Sequence, residues 1–439
     1  MQKISNENRE VNKLLFTSLH LPPALKSPNV CCFVIGESIS FFGSWMTQIA
    51  LVWMVYQITN SAMLVGVVGF TNQFMGLIIT PLVGVLLDRW NLRYVLLITQ
   101  LVSILLSATL AFLTTNGHLT VTWIIIVGIM QGTVKAFDLP ARLVTIPRLV
   151  DNKADTYSAI AIHSFLINTA KFVSPMIGGF LLARYGAASC FLVDSISCLP
   201  FISVVLTAQI KSVEHNPSLK KTNIFQNLRE GFVFAYNFLP IRYVLILQIV
   251  ICFMVMTHVN LIPVFVRETL NGSAETLGFL MTASALGSII AGIYLILMKE
   301  ATKLIKIIAF SSTILGLSLI IFSRTQNLPN SLILILIVGM MNTLTLAAIS
   351  NFVQLVLVDE NKRGRVTSIF TTGFLGILPF GNLFFGWLSS SIGVNNALFF
   401  GGVCCLIGAY IFIKNLPKIK NIVLSVYLEN GVISTLKSN

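Results

Sequence analysis

Long apolar runs alternate with short polar segments along the whole chain. A helix that crosses a bilayer needs about 20 mostly apolar residues, and this length rule predicts twelve spans. Several of the connections between them have room only for a turn. The predicted spans are residues 30–57, 62–87, 94–114, 120–137, 158–183, 187–208, 243–266, 276–298, 304–323, 331–357, 366–390 and 395–414.

The basic residues provide a test of this span count, because Lys and Arg concentrate in cytoplasmic segments of membrane proteins. With the N-terminus placed in the cytoplasm, 25 of the 29 Lys and Arg residues fall in cytoplasmic segments or, for Lys135, Lys306 and Lys414, at the cytoplasmic ends of predicted spans. Arg184, Arg267 and Arg324 fall outside, and Lys171 falls within the fifth span. A wrong number of spans would scramble this alternation, so both termini are predicted to be cytoplasmic.

Composition supports the same class of protein. The chain is 55% hydrophobic and only 10% charged, whereas soluble proteins carry about 25% charged residues. The net charge of +13 lies where it would face the anionic cytoplasmic leaflet, so no nucleic-acid partner is expected. The seven Cys lie inside apolar runs without zinc-ligand spacing, and no glycine-rich phosphate loop is present. We therefore expect no metal, no cofactor and no enzymatic activity.

Polar segments divide the chain into five parts. The linker carries Ile224, Leu228, Phe232 and Ala235 at helical spacing, which predicts an amphipathic helix on the cytoplasmic surface. The parts are a cytoplasmic segment (1–29), a six-helix bundle (30–208), the linker (209–242), a second six-helix bundle (243–414) and a cytoplasmic tail (415–439).

Weak internal similarity relates the two predicted bundles. "LVDNKADTYSAI" begins at Leu149 and "LVDENKRGRVTSI" at Leu357; Gly179 and Gly186 have counterparts 207 residues later. A parallel repeat of six-helix halves is a transporter architecture. The alternative is chance similarity between short polar turns.

Three motifs carry a family resemblance. The pattern Gly84-x-x-x-Asp88-Arg89-x-x-x-Arg93 resembles the signature between spans two and three of the major facilitator superfamily. "AKFVSPMIGG" resembles the antiporter motif of drug-exporting members, with its core in Ser174, Pro175, Gly178 and Gly179. "LPARLVTIPRLV", from Leu139, is similar to a stretch in macrolide efflux proteins and siderophore exporters.

The resemblance implies an all-α membrane protein of twelve helices in two six-helix bundles. The chain departs from the family pattern at three points. Asn91 replaces a glycine, and we expect it to keep a left-handed turn. Tyr94 replaces a second basic residue, and Gly128 stands where span four often carries an Arg tied to proton coupling.

The resemblance also implies a conformational latch between the bundles. Its expected members are Gly84, Asp88, Arg89, Arg93 and Asp138, with Asp88 facing the N-terminus of a helix in the other half. Arg93 is expected to pair with Asp138 at the inner end of span four. The alternative is that the charges serve only to orient the chain in the membrane.

Ionisable residues inside spans are costly and usually face the protein interior. Glu37, Lys171 and Asp194 lie within predicted spans. Glu37 is the first candidate for a proton-coupling acid, and Asp194, in a span expected at the bundle periphery, is a weaker one. The alternative for Glu37 is a structural pair with Lys171 across a central cavity.

His163 and His258 are candidates for sharing proton movement, because histidine as a residue type has its ordinary pKa near neutral pH, although a lone His in a span is more often a packing residue. Further polar residues are expected to line the cavity. They are Gln48, Asn72, Gln73, Asn168, Asn260, Asn342 and Asn351.

These patterns favour a secondary-active, proton-driven exporter of amphipathic small molecules that works as a monomer in the cell membrane. Export of an endogenous siderophore or metabolite is the alternative, and the choice turns on interior cations, of which only Lys171 is expected. A non-transporting sensor built on a transporter fold is a third possibility.

Overall fold

The structure is a computed structural model that describes residues 27–87, 90–150, 155–210, 233, 236–298, 303–356 and 360–429. These residues form helices and short connections, with no strand among them. The helices are α1 (Pro28–Thr59), α2 (Ala62–Leu87), α3 (Leu92–Thr115), α4 (Val121–Leu149), α5 (Thr156–Tyr185), α6 (Ala187–Thr207), α7 (Leu239–Val250), α8 (His258–Glu268), α9 (Ala274–Leu297), α10 (Leu304–Phe322), α11 (Leu328–Val356), α12 (Glu360–Ile392) and α13 (Val394–Glu429).

Helix length and composition agree with a membrane-spanning protein. Within the described residues, 11 segments are long and apolar enough to cross a bilayer, and α7 and α8 count together as one of them. Helix α12 has 33 residues and also exceeds the length needed to span. All twelve predicted spans therefore correspond to helical segments, although the side of the membrane on which each end lies is still a prediction.

A π-helical turn joins α7 to α8 within the seventh span. It covers Ile251–Val255, and such turns displace the helix axis locally. Two glycines fit against the displaced backbone: a Cβ on Gly381 would lie 2.8 Å from the carbonyl oxygen of Phe253, and one on Gly401 would lie 2.5 Å from that of Met254. The π turn is thus packed closely against both α12 and α13.

Helices α1–α6, here called the N-terminal half, pack mainly on one another. Helix α1 packs on α5 and α6, α3 on α4 and α6, and α2 on α4. In the C-terminal half, α7–α13, α9 packs on α11, and α10 packs on α11 and α13. The largest contacts between the halves join α2 to α12 and α5 to α9.

Glycine pairs make both of these contacts between the halves. A Cβ on Gly386 would lie 2.7 Å from the Cα of Gly66, and a Cβ on Gly179 would lie 2.7 Å from the Cα of Gly278. Gly179 and Gly386 are the glycines related by the 207-residue repeat. Small residues allow such close helix approach in membranes, so equivalent positions of the two halves serve equivalent packing roles.

Several sequence expectations need correction. Asn91 is extended (φ −72°) rather than left-handed, and its side chain caps α3 by accepting from the Arg93 backbone N–H at 3.0 Å. Helix α4 ends at Leu149, twelve residues beyond the predicted end of span four. Helix α13 continues to Glu429, so the first part of the tail is helical, with Ile419 buried. The predicted amphipathic positions of the linker lie outside the described residues.

Candidate functional site

In the N-terminal half, a cluster of buried charged residues lies towards the ends at which α1 and α5 begin and α4 finishes. Its members are Glu37 on α1, Asp138 and Arg142 on α4, and His163 on α5, each with at most 7% of its surface exposed. They lie within segments long and apolar enough to span a membrane. Buried charges in such segments require partners, and the hydrogen bonds show which groups pair with each charged side chain.

Arg142 is the centre of the cluster. Its Nε donates to Asp138 Oδ2 at 2.6 Å, and its Nη2 donates to Ser40 Oγ at 3.2 Å. Its Nη1 reaches the backbone oxygen of Glu37 at 3.4 Å and lies 3.8 Å from Glu37 Oε1. The rings of Phe41 and Phe201 lie 4.6 and 4.3 Å from the guanidinium carbon, which is favourable for a cation.

Asp138 has hydrogen bonds on both carboxylate oxygens. Oδ2 accepts from Arg142, while Oδ1 accepts from Thr99 Oγ1 and Gln100 Nε2, both at 2.9 Å. The expected partner, Arg93, instead donates to the backbone oxygen of Ala208. The predicted Arg93–Asp138 pair is therefore wrong, because the i, i+4 spacing within α4 brings Arg142 closer.

Glu37 is 1% exposed and has one oxygen without a hydrogen bond. Its Oε2 lies 2.9 Å from His163 Nδ1, whereas Oε1 has no hydrogen-bond partner among the described residues. The predicted pair with Lys171 is wrong: the Lys171 ammonium lies 5.6 Å from the Trp45 ring centroid, and its side chain is exposed. Lys171 follows His163, the residue that meets Glu37, by eight residues, which at 3.6 residues per turn places it about two turns further along α5 and rotates it by roughly 80°.

The formal charges of the cluster do not balance without an extra proton. Glu37 and Asp138 are two anions beside one fixed cation, Arg142, so one negative charge remains when His163 is neutral. A proton on either Glu37 or His163 removes it. An uncompensated charge is costly in a low-dielectric interior, so the charge imbalance is a chemical feature of this cluster in its own right.

Asp194 belongs to an adjoining polar group rather than to the bundle periphery. It is 3% exposed and accepts from Ser107 Oγ at 2.7 Å and from Ser44 Oγ at 3.4 Å. Gly43 of α1 permits this approach, since a Cβ there would lie 2.6 Å from the Asp194 Cα. Lys135, one turn before Asp138 on α4, interacts electrostatically with Asp194.

The polar residues expected in the cavity lie in different places. Asn260 Nδ2 donates to Asn382 Oδ1 at 2.9 Å, and Asn382 Nδ2 donates to Gln73 Oε1 at 3.3 Å, which joins the two halves. His258 is buried and bonds the carbonyl of Val255 at 2.6 Å, away from the cluster. Gln48 and Asn342 are half-buried, Asn72 and Asn168 bond backbone oxygens of their own helices, and Asn351 is exposed.

The antiporter motif lies at the contact between α5 and α9. Ser174 is buried, and the carbonyl oxygen of Pro175 lies 2.9 Å from where a Cβ on Gly278 would be. Gly178 faces Met46 of α1 while Gly179 faces Gly278. The motif therefore supplies a close contact to one helix in each half.

A further polar contact joins α1 to α8. Tyr56 Oη donates to Glu268 Oε1 at 2.7 Å, and Arg267 stacks over the Trp53 ring at 5.3 Å. These residues, like the two glycine pairs, lie near the helix ends that the charge pattern assigns to the outside. Of the expected latch, Asp88 and Arg89 lie outside the described residues, and Gly84 lies in the last turn of α2.

Sequence reasoning missed Arg142, because a span of minimal length ended at residue 137 and left Arg142 among the cytoplasmic charges. A signal was present: Lys135, Asp138 and Arg142 recur at spacings of three and four. That spacing places them on one face of a continuing helix. The expectation that Lys171 is the interior cation is corrected accordingly.

We predict that Arg142→Gln destabilises the protein strongly, because it leaves two buried carboxylates without a fixed cation. Breaking a buried pair from one side costs about 3–5 kcal/mol. The double variant Asp138→Asn/Arg142→Gln should recover part of that loss. The measurement is the thermal unfolding midpoint of the detergent-purified protein, with Arg148→Gln, a half-buried arginine of the same helix, as control. A double variant no more stable than the single one would contradict this account.

Comparison with known proteins gives the family. The chain is 26% identical over 400 residues to the staphyloferrin A transporter of Staphylococcus aureus, covering 88% of this chain and 97% of that one. It is 22% identical over 371 residues to macrolide efflux protein A of Streptococcus pyogenes, covering 84% and 91%.

A solved bacterial homologue of the human lysosomal transporter Spinster, inward-facing and unoccupied, superimposes with a TM-score of 0.65 at 13% identity, covering 92% of this chain and 98% of that one. This likeness shows the fold. Residues 25–430 match the model of a family described as transmembrane secretion effectors. The chain belongs to this family of major facilitator membrane transporters.

Proposed function

We propose that the protein is a secondary-active exporter of amphipathic small molecules, driven by inward proton flow, with Glu37 as the coupling acid. The observation that carries the proposal is the Glu37 carboxylate, which is 1% exposed and has one oxygen without a hydrogen bond. That oxygen can take up a proton without breaking a hydrogen bond, although its ion pair with Arg142 at 3.8 Å would weaken, and His163 lies 2.9 Å from the other oxygen.

Proton binding would alter the charge balance around Arg142. When Glu37 is protonated, Arg142 is balanced by Asp138 alone. When Glu37 is ionised and His163 is neutral, the cluster carries one excess negative charge, which favours a conformation that admits water or a cation. Asp194 and Lys135 form a charge-matched neighbouring group, so in this proposal they support the cluster rather than exchange protons.

The proposed transport cycle is alternating access between two six-helix bundles with cytoplasmic termini. The contacts between the halves support a closed outer side: Gly66 with Gly386, Gly179 with Gly278, and Tyr56 with Glu268. The likeness to an inward-facing transporter structure is consistent with this assignment. Export then requires these contacts to separate while the cytoplasmic ends approach.

The latch is proposed for the opposite state, when the cytoplasmic side is closed. Asp88 would then lie at the N-terminus of a helix in the C-terminal half, where a carboxylate is stabilised. Arg93 is already held at the end of α6 by the Ala208 carbonyl. Asp138 takes no direct part in this proposed latch, since Arg142, Thr99 and Gln100 occupy its oxygens.

Two substrate classes follow from the relatives. The 26% identity to a staphyloferrin A transporter favours an endogenous siderophore, whereas the similarity to a macrolide efflux protein favours drugs. The interior charges of the described residues support one of them: Arg142 and Lys135 are interior cations, but Asp138, Glu37 and Asp194 offset both. No net positive charge remains to attract an anionic siderophore, so we place amphipathic drug-like molecules first.

Glu37→Gln should abolish export driven by a pH gradient, because the amide keeps the shape of the side chain but cannot exchange a proton. Substrate binding and exchange of labelled for unlabelled substrate should persist. The measurement is uptake of labelled substrate into everted vesicles with an imposed pH gradient. Glu275→Gln, at an exposed acid in the first turn of α9, is the matched control. Concentrative uptake by the Glu37 variant at the control's rate would exclude Glu37 as the coupling acid.

Asp88→Asn should lower the initial transport rate roughly fivefold at equal membrane abundance, since a carboxylate at a helix N-terminus is worth about 1 kcal/mol. The rate is measured in the same vesicles, with abundance checked by immunoblot. Asp155→Asn, in the next predicted cytoplasmic segment, should leave the rate unchanged. An unchanged rate for Asp88→Asn would leave only the topological role for this acid.

A deletion strain should distinguish the substrate classes. We expect increased sensitivity to macrolides and other amphipathic drugs, with normal growth in iron-poor medium and normal siderophore secretion. Complementation with the wild-type gene and with Glu37→Gln ties the effect to transport. Loss of siderophore secretion without a change in drug sensitivity would favour the alternative substrate.

A further inference from the structure

An apolar groove runs between α3 and α4 on the surface that is turned away from the protein interior. Its volume is about 770 Å³, and its lining includes Trp90, Tyr94, Ile98, Val102, Val134 and Phe137. Tyr94, Ile98 and Val102 line the groove from α3, and Val134 and Phe137 line it from the antiparallel α4. The groove is thus formed by two facing rows of apolar side chains.

The surroundings of the groove indicate that it opens to lipid rather than to water. Both helices are membrane-spanning by length and hydropathy, and Tyr94 and Ile98 are 64% and 60% exposed. At 1.5 Å per residue, Tyr94 to Val102 extends about 12 Å, and one leaflet contributes about 15 Å of hydrocarbon. The groove therefore extends along most of one leaflet and opens towards its hydrocarbon.

One end of the groove has the chemistry of a membrane interface. Trp90 stacks on Phe137 with ring centroids 6.1 Å apart and planes inclined by 12°, and Trp is enriched at headgroup level. Arg93, which does not line the groove, follows three residues later in the first turn of α3; its guanidinium has five N–H donors, and the Ala208 carbonyl accepts from one of its nitrogens. A Trp at the start of an apolar groove, with a cation at a similar level along the helix axis, matches a phosphate joined to an acyl chain.

We propose that this groove binds one phospholipid of the cytoplasmic leaflet, with an acyl chain between α3 and α4 and its phosphate at the level of Trp90 and Arg93. The choice of leaflet rests on the proposed cytoplasmic orientation of the termini. The groove leads to the charged cluster at one point: Thr99, which lines it, donates to Asp138 Oδ1 at 2.9 Å. The bound chain therefore covers the side of the α3–α4 contact that holds Asp138 in place.

Retention of lipid through purification tests the site. Native mass spectrometry of the detergent-purified protein should show one bound phospholipid. Val134→Trp fills the groove and should lose it, whereas Ile126→Trp, on an exposed position of the same helix outside the groove, should retain it. Equal lipid retention by the two variants, or no bound lipid in the wild type, would overturn the proposal.

A fluorescence experiment tests the site in the unaltered groove. Single-tryptophan proteins are made that keep either Trp90 or Trp123, which is 43% exposed on α4. After reconstitution with phospholipids brominated on the acyl chain and transfer into lipid-free detergent, Trp90 quenching should persist and Trp123 quenching should be lost. Loss of quenching at both would show exchangeable annular lipid only. Quenching of Trp90 relieved by a macrolide at transport concentrations would assign the groove to substrate instead.

Discussion

The structure of the N-terminal half depends on the burial of Arg142. A cation with 2% exposure at membrane depth is stable only if its charge and its N–H groups are satisfied. Asp138 on the same helix supplies the nearest anion, and Ser40 and the Glu37 carbonyl draw α1 against α4. Thr99 and Gln100 of α3 then donate hydrogen bonds to the second oxygen of the Asp138 carboxylate. One guanidinium therefore fixes the relative positions of three helices.

This cluster and the contacts between the halves lie at different ends of the same helices. Helix α1 carries Glu37 near its start and Tyr56 near its end, and α5 carries His163 and, sixteen residues later, Gly179. In the proposed cycle a change of charge at Glu37–His163 thus acts on two helices that also make outer contacts with the C-terminal half. Those contacts are glycine pairs and a few hydrogen bonds, which can separate without exposing a buried charge.

Eleven of the twelve predicted spans match helices of the described residues that are long and apolar enough to cross a bilayer, because hydrocarbon imposes a minimum apolar length on each helix. Motif spacing indicated the family for a similar reason, since Gly179 of the antiporter motif must be small where α5 crosses α9. The pairing of charges was predicted less well. Lys171 was expected to pair with Glu37, and Arg93 with Asp138, because all four lie near the expected cavity or its inner end. Proximity along the membrane normal, however, does not specify which helix face a residue occupies.

The sequence alone indicated a membrane protein of many spanning helices and its family, and it supplied the acid proposed for coupling, because apolar length, charge asymmetry and small-residue spacing are local along the chain. The tertiary structure decided which cation meets each acid. That choice depends on helix rotation and on where α4 ends, and neither is set by hydropathy. In the structure, the partners of Glu37 are His163 and Arg142 rather than the expected Lys171. Asp194 lies inside the N-terminal half, where Gly43 leaves room for its backbone.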